Sequence, residues 1–288
     1  MTKTHFQLIL AVSITIVASY ADGAAENCVG FSTDDGGMAF TVSINNQQYS
    51  AAATMSNIPS SISRGLAEEL GLTIMSDPDR RVFSRYGEDS AMEYVLNVPV
   101  ALFGTEVQVK EMIITDATDR SMSISLRLFN GLVLQLNFPQ SQLCVYSRDA
   151  INLREVQNAD MDTSVSAGAP VVNVTLNGKT KAWLELTPAM TSGLNLDRSL
   201  ADNLGLLSDE TTKGIVDSLT FGPYELGNIS ANFPEAGAQN NSTRNRNVTG
   251  FSNIQRGRVA RGNIGLEVLK HFVLTMDLEQ ERLHVFAP

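Results

Sequence analysis

The chain has 288 residues, 43% hydrophobic and 18% charged, with 31 acidic against 21 basic side chains for a net charge of −10. Such a composition belongs to globular proteins and excludes disorder as the dominant state, while the acidity argues against nucleic acid and anionic membranes as partners. The length suffices for one large or two modest hydrophobic cores.

The first residues place Lys3 before an apolar run from Leu8 to Ala18, followed by small residues at Ser19 and Ala21. This is the layout of a secretory signal peptide over 1–21, and the run is too short to span a bilayer. Loss of Lys3 with that segment leaves 20 basic against 31 acidic residues, a net of −11. The expected mature protein is exported, secreted or periplasmic, without stable membrane insertion. Only Cys28 and Cys144 are present, and in an oxidising compartment two cysteines are read first as one disulfide, with two buried free thiols as the alternative.

Next comes "FTVSINNQQYSAA", an alternating strand, an Asn-Asn turn and a second strand, running into the loop "AAATMSNIPSSIS" and the short helix of "SSISRGLAEELGL". Phe83 to Gly104 reads as a hairpin with Tyr86-Gly87 at its tip. A segment rich in strand formers closes the half with "ISLRLFNGLVLQLNFPQSQLCVY", Ile124 to Tyr146.

The order then repeats. "VNVTLNGKTKAWLEL" is strand, Asn-Gly turn and strand; "LELTPAMTSGLNL" is the loop; "GLNLDRSLADNLGL" is the short helix; and Ile264 to Phe286 closes the chain. Laying Ile124 on Ile264, 140 residues apart, superposes Leu126 on Leu266, Val133 on Val273, Leu143 on Leu283 and Val145 on Val285. Two homologous halves, 28–150 and 165–288, are expected. Phe233 to Gly262 interrupts the second half as a long polar loop, whose Arg244, Arg246, Arg256, Arg258 and Arg261 read as solvated charge or a local basic patch. Sequons at Asn173, Asn228, Asn240, Asn241 and Asn247 are no more than chance supplies in so Asn-rich a chain. His271 and His284 lack the spacing of metal ligands, so neither metal nor cofactor is called for.

The sequence of strand, turn, strand, loop, "LA..LGL", β-rich middle and "IG(L/M)..L..F...(I/M)D....RL.(L/V)" resembles the retropepsin-like and pepsin-like aspartic peptidases, and most of all the exported two-repeat bacterial members. The resemblance implies an all-β, bilobed, acid-protease-like double barrel with pseudo-twofold symmetry and short helices, a monomer with pseudo-dimeric lobes. It makes Tyr86 and Gly87 the tip of a flap over a peptide-binding cleft. In this family each half supplies an Asp-Thr/Ser-Gly loop, and the two carboxylates share one proton, one acting as base on water and the other as acid. Here Thr54-Met55-Ser56 and Thr187-Pro188-Ala189 stand in those places. A threonine hydroxyl does not ionise near neutral pH and cannot take water's proton as a carboxylate does. Glu185 lies two residues before Thr187, but its counterpart is Ala52, so no dyad forms. The expected function is recognition of a peptide or protein ligand without catalysis. An aspartic-type endopeptidase with a non-standard site and a structural envelope scaffold are the alternatives.

Overall fold

The computed structural model describes residues 27–33, 37–56, 58–83, 89–117, 121–165, 167–207, 211–235 and 257–288. The expected signal segment, Tyr86, Gly87, Arg244, Arg246, Arg256 and the sequons at Asn240, Asn241 and Asn247 lie outside them. The described residues are mostly β-strand with a few short helices, as the all-β expectation requires. Among them, no helix is long and apolar enough to cross a membrane.

Two compact units emerge, Val29–Leu128 and Phe129–Pro288, the latter including Cys28. In the first unit the strands are β1 (Cys28–Ser32), β2 (Ala39–Ile44), β3 (Gln47–Thr54), β4 (Ser61–Ser63), β5 (Met75–Phe83), β6 (Asp89–Leu102), β7 (Thr105–Thr115) and β8 (Met122–Ser125). Six of them close a ring. β2 pairs antiparallel with β3, β3 parallel with β8, β8 antiparallel with β4, β4 parallel with β7, β7 antiparallel with β6, and β6 antiparallel with β2. The β2–β3 turn is made by Asn45 and Asn46, both at positive φ, as a tight hairpin of twisted strands demands. Burial alternates along β2, where Phe40, Val42 and Ile44 point into the ring, so the period-2 pattern of the sequence is the inside–outside pattern of a barrel wall.

The second unit contains β9 (Val133–Asn137), β10 (Gln142–Tyr146), β11 (Ala159–Thr163), β12 (Pro170–Leu176), β13 (Thr180–Leu186), β14 (Leu194–Leu196), β15 (Lys213–Phe221), β16 (Tyr224–Asn232), β17 (Gly262–Ile264), β18 (Val273–Asp277) and β19 (Arg282–Phe286). Its ring repeats the first in order and in sense: β12, β13, β17, β14, β16, β15 and back to β12, with β13–β17 and β14–β16 parallel and the rest antiparallel. The Asn177-Gly178 turn, again at positive φ, joins β12 to β13. No counterpart of β5 occurs here among the described residues.

Beside this ring, β10, β9, β18, β19 and β11 form a sheet in that order. Its middle pair joins the two copies of the sequence echo. β9 and β18 run antiparallel with Gln135 opposite Thr275, which are the same position of the repeat 140 residues apart, and Gln135 Nε2 donates to Thr275 Oγ1 at 3.1 Å. This pairing is why the compact units divide at Phe129, whereas the repeat alone suggests a division near 150: β9 pairs with β18, and β10 follows by pairing with β9.

Each ring carries one short helix that the sequence encodes at both ends. Ser63 caps Arg64–Glu69 by accepting from Leu66 N, and Asp197 caps Arg198–Asn203 by accepting from Leu200 N at 2.6 Å. Gly71 and Gly205, at φ +68° and +70°, end them with left-handed turns in which Leu72 and Leu206 N–H groups return to the carbonyls of Ala67 and Ala201. The disulfide between Cys28 and Cys144 is present and fixes the start of β1 to β10.

Candidate functional site

In each ring the loop that follows the second strand is pinned by a strand running parallel to it. β3 ends on Thr54, with Ala53 opposite Ile124 and Thr54 opposite Ser125. β13 ends on Leu186 opposite Ile264, and the next residue, Thr187, donates its N–H to Ile264 O at 2.9 Å. Thr54 and Thr187 therefore hold the same position in their rings. Ser125 corresponds to Gly265, and Ser123 to Asn263.

The loops themselves differ. Downstream, Ser61 faces Ser123 while Asn195 faces Asn263, so the second loop is one residue longer. That loop closes tightly over Gly265: its N–H reaches Gly193 O at 2.8 Å, and Leu266 N reaches Met190 O at 2.6 Å. A Cβ at Gly265 would lie 2.1 Å from Ser192 O and 2.6 Å from Met190 O. The shorter first loop leaves room for a side chain at Ser125, whose N–H donates to Ser60 Oγ at 3.0 Å and whose hydroxyl lies 3.5 Å from Ser56 O.

The two threonine hydroxyls also differ. Thr187 Oγ1 accepts from Asn263 Nδ2 at 2.8 Å. At the corresponding place in the first ring, Ser123 Oγ instead pairs with Ser61 Oγ at 2.7 Å, and Thr54 Oγ1 is buried without a hydrogen-bond partner among the described residues. Neither hydroxyl is an acid or base of the strength that water activation needs. Asn263, Ser123 and Ser60 were not singled out from sequence. Asn263 precedes the Ile264-Gly265 element directly, and that adjacency was the one available signal.

Glu185, on β13, is a half-buried carboxyl. Burial raises its pKa, and a hydrogen bond with Ser164 works in the opposite sense. Its partners across the strands are Val171 and Asn263, and Ala52 takes the corresponding place on β3, so neither ring supplies it with a second carboxylate at that position. His271 is half-buried, and burial followed by the neighbouring Lys270 lowers its pKa against the pull of Glu267. His284 Nδ1 lies 2.6 Å from Val156 O. Among the described residues, no group of three or more His, Cys, Asp or Glu is arranged to hold a metal ion.

Two arginines read from sequence as solvated loop charge or basic patch are in fact engaged. Arg258 Nε donates to Asp162 at 2.9 Å, and the guanidinium lies over the Trp183 ring at 5.1 Å from its centroid. Arg261 pairs with Asp197, the helix cap, and donates to Ser199 Oγ at 2.7 Å. They close the end of the polar loop onto the ring and give no free basic patch. At the proposed flap, β5 and β6 pair from Met75–Tyr94 to Phe83–Asp89, which makes a hairpin, but its tip lies outside the described residues.

No family model matches the chain, and no curated protein matches it. Among solved structures, the crystal structure of a retropepsin-like aspartic protease from Rickettsia conorii is similar over 42% of this chain and 84% of that one, at 15% identity and a TM-score of 0.27. A likeness at that score carries no inference about activity.

Proposed function

We propose that this chain is an exported, non-catalytic protein of the aspartic-peptidase type, built from two repeated lobes with pseudo-twofold symmetry, which recognises an extended peptide or protein segment. The observation that carries the reading is the pair Thr54 and Thr187. Thr54 is the last residue of β3 and Thr187 the first residue after β13, each beside a parallel partner strand, at the positions where the resembled family keeps its two aspartates. The repeated order of the two rings and the facing of Gln135 on Thr275 support a twofold relation between repeats. Strand addition to an extended ligand needs backbone donors and acceptors and no carboxylate, so loss of both aspartates leaves recognition intact. The disulfide is compatible with an oxidising compartment and hence with export.

The experiment pairs calorimetry with a cleavage assay, using blocked Val-, Leu- and Phe-rich peptides across pH 3 to 8. Saturable binding without cleavage is the expected outcome. Acid-dependent cleavage that a transition-state-mimicking aspartic-protease inhibitor blocks, and that survives Thr54→Ala with Thr187→Ala, would return the chain to the peptidases. Glu185, whose carboxyl burial favours the protonated form, would then be the first residue to replace. Absence of both binding and cleavage would leave the scaffold reading.

A further inference from the structure

The two threonines occupy one position of the repeat, yet their hydroxyls are in different states. In the second ring Asn263 commits the Thr187 hydroxyl through a 2.8 Å hydrogen bond. In the first ring the residue at Asn263's place is Ser123, too short to reach across and already paired with Ser61 Oγ at 2.7 Å. The Thr54 oxygen is buried and unpartnered among the described residues, although Thr54 as a residue is partly exposed. A buried hydroxyl without a partner forfeits its hydrogen bonds to water and gains none in exchange. The same fold contains the remedy one repeat away, in the form of an asparagine, and the first ring does without it.

We infer that the Thr54 hydroxyl is held in reserve as a polar contact for the bound peptide, while Thr187 is committed to the fold. This rests on the peptide-recognition reading above. Threonine carries a hydroxyl and a methyl on Cβ, which exchange places by rotation about χ1. For Thr54 the rotation breaks no hydrogen bond to the described residues, so a peptide carbonyl or amide that approaches the partly exposed side can draw the hydroxyl toward it. For Thr187 the same rotation would break the bond from Asn263 and leave that amide short of a partner. Of the two equivalent hydroxyls, only that of Thr54 is available to a ligand without loss to the fold. The ligand class is an uncharged backbone group of an extended chain, since a neutral hydroxyl can donate to a carbonyl or accept from an amide.

The test uses the full mature protein and the blocked Val-, Leu- and Phe-rich peptides, with affinity and thermal midpoint measured for Thr54→Val, Thr54→Ser and Thr187→Val. Valine keeps the shape of threonine and removes the hydroxyl. Thr54→Val is expected to weaken binding by about 3- to 10-fold, the range for loss of one neutral hydrogen bond, with the thermal midpoint unchanged or raised. Thr54→Ser should retain wild-type affinity. Thr187→Val should lower the midpoint and leave affinity within about twofold, below the smallest hydrogen-bond effect expected. Wild-type binding that Thr54→Val leaves unaltered would overturn this inference and spare the proposed function. A midpoint lowered as much by Thr54→Val as by Thr187→Val would overturn it too, by revealing an internal partner for the hydroxyl. No binding by the wild-type protein would overturn both readings.

Discussion

Gly265→Ala puts the difference between the two loops to a quantitative test. Gly265 has φ −99° and ψ −178°, a conformation open to any residue, so the substitution carries no backbone strain and its cost is purely steric. The new Cβ would stand 2.1 Å from Ser192 O and 2.6 Å from Met190 O, where ordinary contact begins near 3.4 Å. The two carbonyls must retreat by about 1.3 and 0.8 Å, distances that the overpacking of a tight site converts to about 1–3 kcal/mol. The retreat also pulls at the bonds from Gly265 N to Gly193 O and from Leu266 N to Met190 O, each worth about 0.5–1.5 kcal/mol. Together these give a loss of about 4 kcal/mol, or a fall in thermal midpoint of roughly 8–16 °C. The control is Ser125→Gly, at the same position of the first ring, where the side chain's bond to the described residues is a 3.5 Å contact to Ser56 O. Its cost, mainly the freedom a glycine regains when unfolded, is about 1 kcal/mol. Urea unfolding of both variants, with thermal melts alongside, reads the difference. A Gly265→Ala loss below about 1 kcal/mol, or equal losses for the two variants, would refute the claim that the second loop closes on a position that admits no side chain.

Further expectations concern the ties within the larger unit. The Cys28–Cys144 disulfide spans a sequence separation of 116, for which chain entropy predicts a stabilisation of about 4.8 kcal/mol. Urea unfolding with and without reductant should show a large drop in midpoint, and an unchanged midpoint would contradict it. Asp277 is buried; burial alone would raise its pKa, but Arg148, which donates at 2.5 and 2.9 Å, and the backbone N–H groups of Gln280 and Glu279 together hold it below the ordinary carboxylate range. Its contribution is therefore fully present above the unfolded value of about 3.9 and lost as pH falls through the lower folded value. Asp277→Asn should lower stability at pH 7 and flatten the acid limb of a stability–pH curve; an acid limb identical to wild type would assign the titration elsewhere.

Much of the architecture is determined locally and is legible in the chain itself. Alternation along 39–44 and 170–176, the Asn-Asn and Asn-Gly turns, and the two "LA..LGL" helices with their Ser63 and Asp197 caps are encoded by neighbours a few residues apart. The 140-residue echo carried further still, since β9 and β18, and β10 and β19, begin and end at matching positions of it. Aligning the two loops, at an offset other than that of the echo, makes Thr54 and Thr187 equivalent, and the parallel pairing of each ring reproduces that match. What the sequence could not determine is which strands those residues meet. The pairing of β9 with β18 assigns 129–150 to the unit that holds the second ring, a choice made by contacts between segments more than a hundred residues apart. Long-range pairing likewise turned Arg258 and Arg261 from loop charges into ties to Asp162 and Asp197. The contrast between a committed Thr187 and a Thr54 without a partner among the described residues was beyond the sequence for the same reason. It depends on whether an asparagine or a serine sits on the adjacent parallel strand, and hydrogen bonds across strands are decided by register in space, which no local pattern records.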